Sequence, residues 1–105
     1  MDVRHLPDFQ AFSDDKLKKH NLFQTARFFL DVYCLKPGQS QKPHAHAGAD
    51  KVYVVLDGTC RFTVDSATED HGVGAAVFAP AGSDHGVLNA SGQDARLLVM
   101  MAPAP

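Results

Sequence analysis

Residues 38–58 read GQSQKPHAHAGADKVYVVLDG, and the fold is decided there. His44 and His46 are two apart, so on an extended strand both imidazoles stand on one face, about 6.6 Å apart along the backbone, and can lean onto one ion. Alone, such a pair is explained as well by an ordinary solvated strand. The stretch continues into residues 51–56, a run of Val, Tyr and Leu that is apolar on both alternating faces, unlike a sheet with one face in water. It closes at Asp57-Gly58, the signal of a tight hairpin turn into residues 59–64.

The same texture recurs on either side. Residues 27–35, 59–64, 75–79, 85–89 and 96–101 are short runs rich in Val, Phe, Leu and Tyr, each closed by Gly, Pro, Asp or Ser. Such punctuation predicts an antiparallel sandwich or barrel. Residues 65–74 read as a longer polar connection. Residues 1–26 read as a polar extension packed on the barrel, with Ser13 as an N-cap, Asp14 and Asp15 in a first turn and Lys16, Lys18 and Lys19 after them, a short helical turn. The doubly apolar runs 51–56 and 96–101 need cover on their outer face. The extension and a second copy of the chain are the candidates, and a homodimer is expected.

Composition narrows the function classes. A chain of 105 residues and 11.3 kDa holds one domain, and 45% hydrophobic with 21% charged residues excludes disorder as its main state. A net charge of −2 leaves no dominant basic surface for nucleic acid or anionic lipid. The chain lacks an uninterrupted apolar stretch of roughly 18 residues, and residues 1–10 lack the layout of a signal peptide, so no membrane association and a cytoplasmic location are expected. Cys34 and Cys60 are too few for a disulfide framework and read as buried thiols. His5, His20 and His71 lie in polar segments and read as solvated.

A second stretch, residues 74–89, reads GAAVFAPAGSDHGVLN. The spacing of Gly38, His44, His46, position 51 and Gly58, followed by Gly74, Pro80, Gly82, His85 and Asn89, resembles the two motifs of a small single-domain cupin. The resemblance implies an all-β, cupin-type double-stranded β-helix, a jelly-roll barrel over residues 27–102, with residues 103–105 as a disordered tail. It also implies that His44, His46 and His85 meet inside the barrel and hold one divalent transition metal (Fe, Zn, Ni, Mn or Cu) that acts on a small-molecule ligand.

One position departs from the pattern. Where cupins usually place a Glu as fourth ligand, this chain has Lys51, or Asp50 in the neighbouring register. An ammonium about 4 Å from a divalent ion would be repelled by several kcal/mol even at an effective dielectric near 20. Three readings stay open: Lys51 turns away or pairs with an anionic ligand or with Asp50; Lys51 loses its proton and serves as a base; or Asp50 enters through a bulge. Loss of the carboxylate leaves the site more positive and favours anionic ligands. If position 51 faces inward, so do Tyr53 and Val55, then Cys60, Phe62 and Val64 beyond the turn. Lys51 and Tyr53 are the candidate catalytic residues, although small barrels also fill their interior with such side chains. Phe78, Met100 and Met101 read as core, and Asn89 as a structural hydrogen-bonding residue. The resemblance leaves two functions: a dioxygenase-like metal enzyme on a small anionic or oxygen-chelating substrate, or a non-catalytic ligand-binding module.

Overall fold

A computed structural model describes residues 1–104. Its nine strands are β1 (Lys18–Thr25), β2 (Phe28–Leu35), β3 (Ser40–Ala45), β4 (Asp50–Asp57), β5 (Thr59–Val64), β6 (Ala67–Gly72), β7 (Ala76–Ala79), β8 (Asp84–Leu88) and β9 (Ala95–Ala102). They form a five-stranded sheet ordered β1-β2-β9-β4-β7 and a four-stranded sheet ordered β3-β8-β5-β6, every pairing antiparallel. This is the expected jelly roll. Among the described residues no helix is long and apolar enough to cross a membrane.

Period-2 alternation builds the core. Tyr33, Leu35, Tyr53, Val55, Leu97 and Val99 project from the five-stranded sheet onto Cys60, Phe62 and Val87 of the four-stranded one. The inward parity expected for Lys51, Tyr53, Val55, Cys60 and Phe62 is what the burial shows, while Val64 is half-buried. Both cysteines are free and buried.

Several local expectations are corrected. The segment after Ser13 is not helical; a single 3-10 turn lies earlier, at Leu6–Asp8, and the five-stranded sheet begins at Lys18 rather than near residue 27. Alternation of Leu22 with polar neighbours on a half-exposed edge strand left too weak a period to read. The polar connection 65–74 contains β6, an exposed edge strand for the same reason. Asp57-Gly58 is no hairpin, because β4 and β5 belong to different sheets. Gly58 does take the positive φ of +74° that the dipeptide signals, and a Cβ there would lie 2.6 Å from the Asp94 carbonyl oxygen. The signal marked a corner between sheets, where only glycine fits. Phe78 and Met100 are exposed rather than core, at 56% and 41%, since both are register partners of the outward-facing Val52; Met101 is buried. The expected tail 103–105 reaches Pro105, outside the described residues.

The N-terminal segment covers part of the outer face. Leu6, Phe9 and Phe12 pack against Leu22, Val32, Cys34 and Leu98. Arg96 fastens this strap: its guanidinium donates to Asp57 Oδ2 (2.5 Å), to the Leu6 carbonyl (2.9 Å) and to the Phe9 carbonyl (3.2 Å). Its side chain is 8% exposed against 53% for Asp57, so the guanidinium is desolvated and its bonds to the two strap carbonyls are charge-assisted. Arg96→Ala should therefore lower stability by about 2 kcal/mol, read as a lower urea midpoint, with faster amide exchange over residues 6–12. An unchanged midpoint would show that the apolar contacts alone hold the strap.

Candidate metal centre

The three histidines converge from two strands of the four-stranded sheet and the loop after β3. His44 and His85 are directly opposed in the β3–β8 register. His46 follows β3, and its ring lies 4.7 Å from that of His44 and 5.6 Å from that of His85, centroid to centroid. One ring nitrogen from each of the three lies within 4.8 Å of the others. His85 is buried, and His44 and His46 are half-buried at the mouth.

A bulge makes this possible. Between Gln41 and His44 the register of β3 slips by one residue against β8, so that Gln41 opposes Val87 and His44 opposes His85. Residues three apart would otherwise face opposite sides of the strand; the extra residue turns both inward. Pro43 sits in the bulge, where no ladder hydrogen bond is needed from it. Opposite, Gly86 lets the backbones close, since a Cβ there would lie 2.7 Å from the Gln41 carbonyl oxygen and 2.8 Å from the Pro43 nitrogen. Gly86 is a site-building residue that the sequence reading missed. A proline inside a strand two residues before His46's neighbour Ala45 was its signal.

The rings are set up as lone-pair donors. His44 Nδ1 donates to the Lys42 carbonyl (2.9 Å) and His85 Nδ1 to the Ser83 carbonyl (3.0 Å). A carbonyl only accepts, so each Nδ1 carries hydrogen and the neutral ring offers a bare Nε2. Burial, with the neighbouring positive groups, lowers the His46 and His85 pKa and favours the neutral form. His85 Nε2 is buried without a hydrogen-bond partner. Such an orphan costs free energy unless something occupies its lone pair. Three convergent bare imidazoles fit a divalent transition metal.

Lys51 stands on the facing sheet. It is 2% exposed, and its ammonium donates to Gln41 Oε1 (3.0 Å) and lies 5.6 Å and 5.2 Å from the ring centroids of Tyr33 and Tyr53. The pairing with Asp50 does not occur, nor does Asp50 enter the site. Asp50 is exposed, because adjacent strand residues face opposite sides, and its Oδ1 accepts from the Ala81 amide (2.9 Å). Tyr53 is wholly buried, packed on Phe62, with its hydroxyl unpartnered. Burial raises the pKa of both Tyr33 and Tyr53, so both stay phenols. Asn89 has the structural role expected: Nδ2 donates to the Leu35 and Gln93 carbonyls, and Oδ1 accepts from Ser91. His20 and His71 are not free in solvent; His20 packs on Phe9 and bonds the Ala11 carbonyl, and His71 pairs with Glu69.

The comparisons agree with the fold. The family model for the Cupin domain matches residues 31–101. The chain belongs to the cupin family. Its structure is similar to that of the protein TT1209 from Thermus thermophilus, at 42% identity and TM-score 0.97 over 100% of both chains. It is also similar to an RmlC-like cupin from Desulfovibrio desulfuricans (28% identity, TM-score 0.86, 98% of this chain and 97% of that one). KdgF from Halomonas sp. shares the fold at 16% identity and TM-score 0.84, over 100% of this chain and 96% of that one. No curated protein sequence matches the chain.

Burial, then Lys19, pushes the Lys51 pKa down to about 8, with Asp31 opposing. The unfolded chain, with an ordinary lysine, then holds more protons than the folded one above pH 8, so stability rises with pH there. Between pH 8 and pH 10 the metal-free protein should gain about 2 kcal/mol from this group, and Lys51→Met should flatten that slope in urea melts. A slope equal in both would place the lysine's charge in water.

Proposed function

We propose that this cupin holds one divalent transition metal through His44, His46 and His85 and uses it on a small anionic, oxygen-chelating molecule in dioxygenase-type chemistry. The observation that carries the reading is the buried, unpartnered His85 Nε2 beside two further imidazoles whose Nδ1 or environment favours a free lone pair. When bound, the metal supplies Lewis acidity and open positions for ligand oxygens, since three protein donors leave the coordination sphere incomplete. The chain's own residues do the rest. His44 and His85 are held in one tautomer by backbone carbonyls, Tyr53 and Phe62 keep the floor dry, and Lys51 replaces the usual carboxylate with positive charge.

Elemental analysis of tag-free protein tests the metal. The expected result is about one metal per chain, falling below a tenth of that in His85→Ala, because the two remaining histidines come from β3 and the loop directly after it, on one side of the site, and cannot enclose an ion. Full metal in the variant would overturn the three-histidine site. Lys51→Glu should tighten metal binding at least tenfold by exchanging a repulsive charge for a donor. Oxygen uptake by the Fe(II)-loaded chain with a panel of diketones and thiol acids separates turnover from plain binding.

A homodimer through the five-stranded sheet is part of the same proposal. The register aligns Phe23, Leu30, Met100, Val52 and Phe78 in one row across the outer face; the N-terminal segment reaches its Phe23–Leu30 end, where Arg4 lies over the Phe23 ring, and Met100 and Phe78 at the other end are exposed. Exposed, contiguous apolar rows mark interaction surfaces, and a self-complementary row suits a two-fold interface. Sedimentation should give a dimer that Phe78→Glu with Met100→Glu converts to monomer. A monomeric parent chain would end this part.

A further inference from the structure

Lys51 is a buried cation with no anion to match it. Among the described residues no carboxylate lies within salt-bridge distance of its Nζ. Asp31, which acts on it from farther away, is engaged by Asn21 Nδ2 at 2.8 Å. An unpaired ammonium in a barrel interior is costly, and its sole hydrogen-bond acceptor here is a neutral amide oxygen, Gln41 Oε1. That amide oxygen occupies the place a carboxylate oxygen would take.

The surroundings repeat the sign. Lys19 is the register partner of Tyr33, and its ammonium lies 5.2 Å from the Tyr33 ring centroid, while Lys51 lies 5.6 Å from the same centroid. Two cations thus meet on one aromatic ring. A cleft of about 430 Å³ opens where the β1 edge of one sheet passes the β3 edge of the other, lined by Lys16, Leu17, Lys18, Lys19, Ser40 and Gln41. Gln41 is half-buried, at once part of the cleft wall and the partner of Lys51, so it is a side chain that the cleft and the buried ammonium share. The unpartnered Tyr53 hydroxyl adds a second buried donor in the same interior.

We propose that Lys51 and Lys19, flanking Tyr33, form a carboxylate subsite entered through the β1–β3 cleft, so that the ligand is a small dicarboxylate with one end on this subsite and the other facing the three histidines. The lysine end stands on the geometry of Lys51 alone; the histidine end rests on the metal reading above. The strong preference for an anion follows from a charge already desolvated, which gains a charge-assisted hydrogen bond without further loss of water.

Isothermal titration of oxalate, malonate, succinate and glutarate, with butyrate as the single-carboxylate control, tests both ends. In the chelator-treated protein at least one of these acids should bind one per chain, at least tenfold more weakly to Lys51→Met. Gln41→Glu should lose the same affinity, because the new side chain supplies the missing carboxylate, and should melt at higher temperature than the parent, which shows that it folds. In the Zn(II)-loaded protein the best dicarboxylate should exceed butyrate at least tenfold. Binding by Lys51→Met equal to the parent, or no binding by the parent, overturns the subsite. Metal-free binding that depends on Lys51, with Zn(II) adding nothing to the dicarboxylate preference, keeps the lysine subsite and overturns its link to the histidines.

Discussion

The interior of this barrel depends on one extra residue in β3. The slip between Gln41 and His44 turns both side chains inward, and each then meets a partner from elsewhere: Gln41 meets Lys51, and His44 meets His85. Both contacts have the same origin, so the cluster of imidazoles and the acceptor of the buried ammonium stand or fall together. The bulge in turn needs Gly86, since the atoms a Cβ would strike are backbone atoms of Gln41 and Pro43, which no change of rotamer can move. A site built this way is rigid. Two of its three donors, His44 and His85, sit on paired strands, and their ring orientations are tied to carbonyls two residues earlier.

Charge in the interior is divided between the two sheets. The four-stranded sheet and the loop after β3 bring His85 and His46, whose burial favours the neutral ring, and the five-stranded sheet brings Lys51, whose burial lowers its pKa, and two tyrosines whose burial keeps them phenols. The five-stranded sheet's side is rich in hydrogen-bond donors, with Asp31 as an inward-facing carboxylate already engaged by Asn21, while the bare imidazole nitrogens opposite are acceptors. In a family that commonly sets a glutamate at this point, the exchange for lysine reverses the local field. A metal at the histidines and a charged lysine would repel across the barrel, and a ligand carrying negative charge between them relieves both. The same exchange therefore weakens the hold on a bare ion and strengthens the hold on an anion.

The histidines and the jelly roll were legible because each rests on short-range spacing. Two residues apart on a strand means one face, and the glycines and proline of residues 74–89 set the bend that delivers His85. Lys51 was legible as an inward residue from parity alone, and so was Tyr53. What spacing could not supply was pairing between distant segments. Asp57-Gly58 announces a sharp turn by its backbone freedom, but whether the strands beyond it pair or part is decided by which sheet their inner faces complete. Phe78 and Met100 looked like core because their sequence neighbours are apolar, and only the register to Val52 reveals that they face outward. The strand in Lys18–Thr25 was hidden behind lysines, and the bulge at Pro43 was hidden behind the motif that depends on it.

Lysines along β1 have an ordinary explanation that must be weighed against a role in the site. β1 is an edge strand, and edge strands carry lysine to discourage pairing with other chains. That accounts for Lys18, whose parity is outward, although it also borders the cleft. It does not account for Lys19, whose register with Tyr33 turns it toward the barrel, and still less for Lys51, which lies on β4 between β9 and β7, where no edge needs protecting. Its charge is costly where it stands, and a leucine or methionine would fill a similar volume, so packing alone does not explain a lysine there. The two lysines that edge protection leaves unexplained are the two that share the Tyr33 ring. Their convergence on one aromatic ring, Lys51 from the interior and Lys19 from the exposed edge strand, distinguishes this barrel from one with an apolar filling.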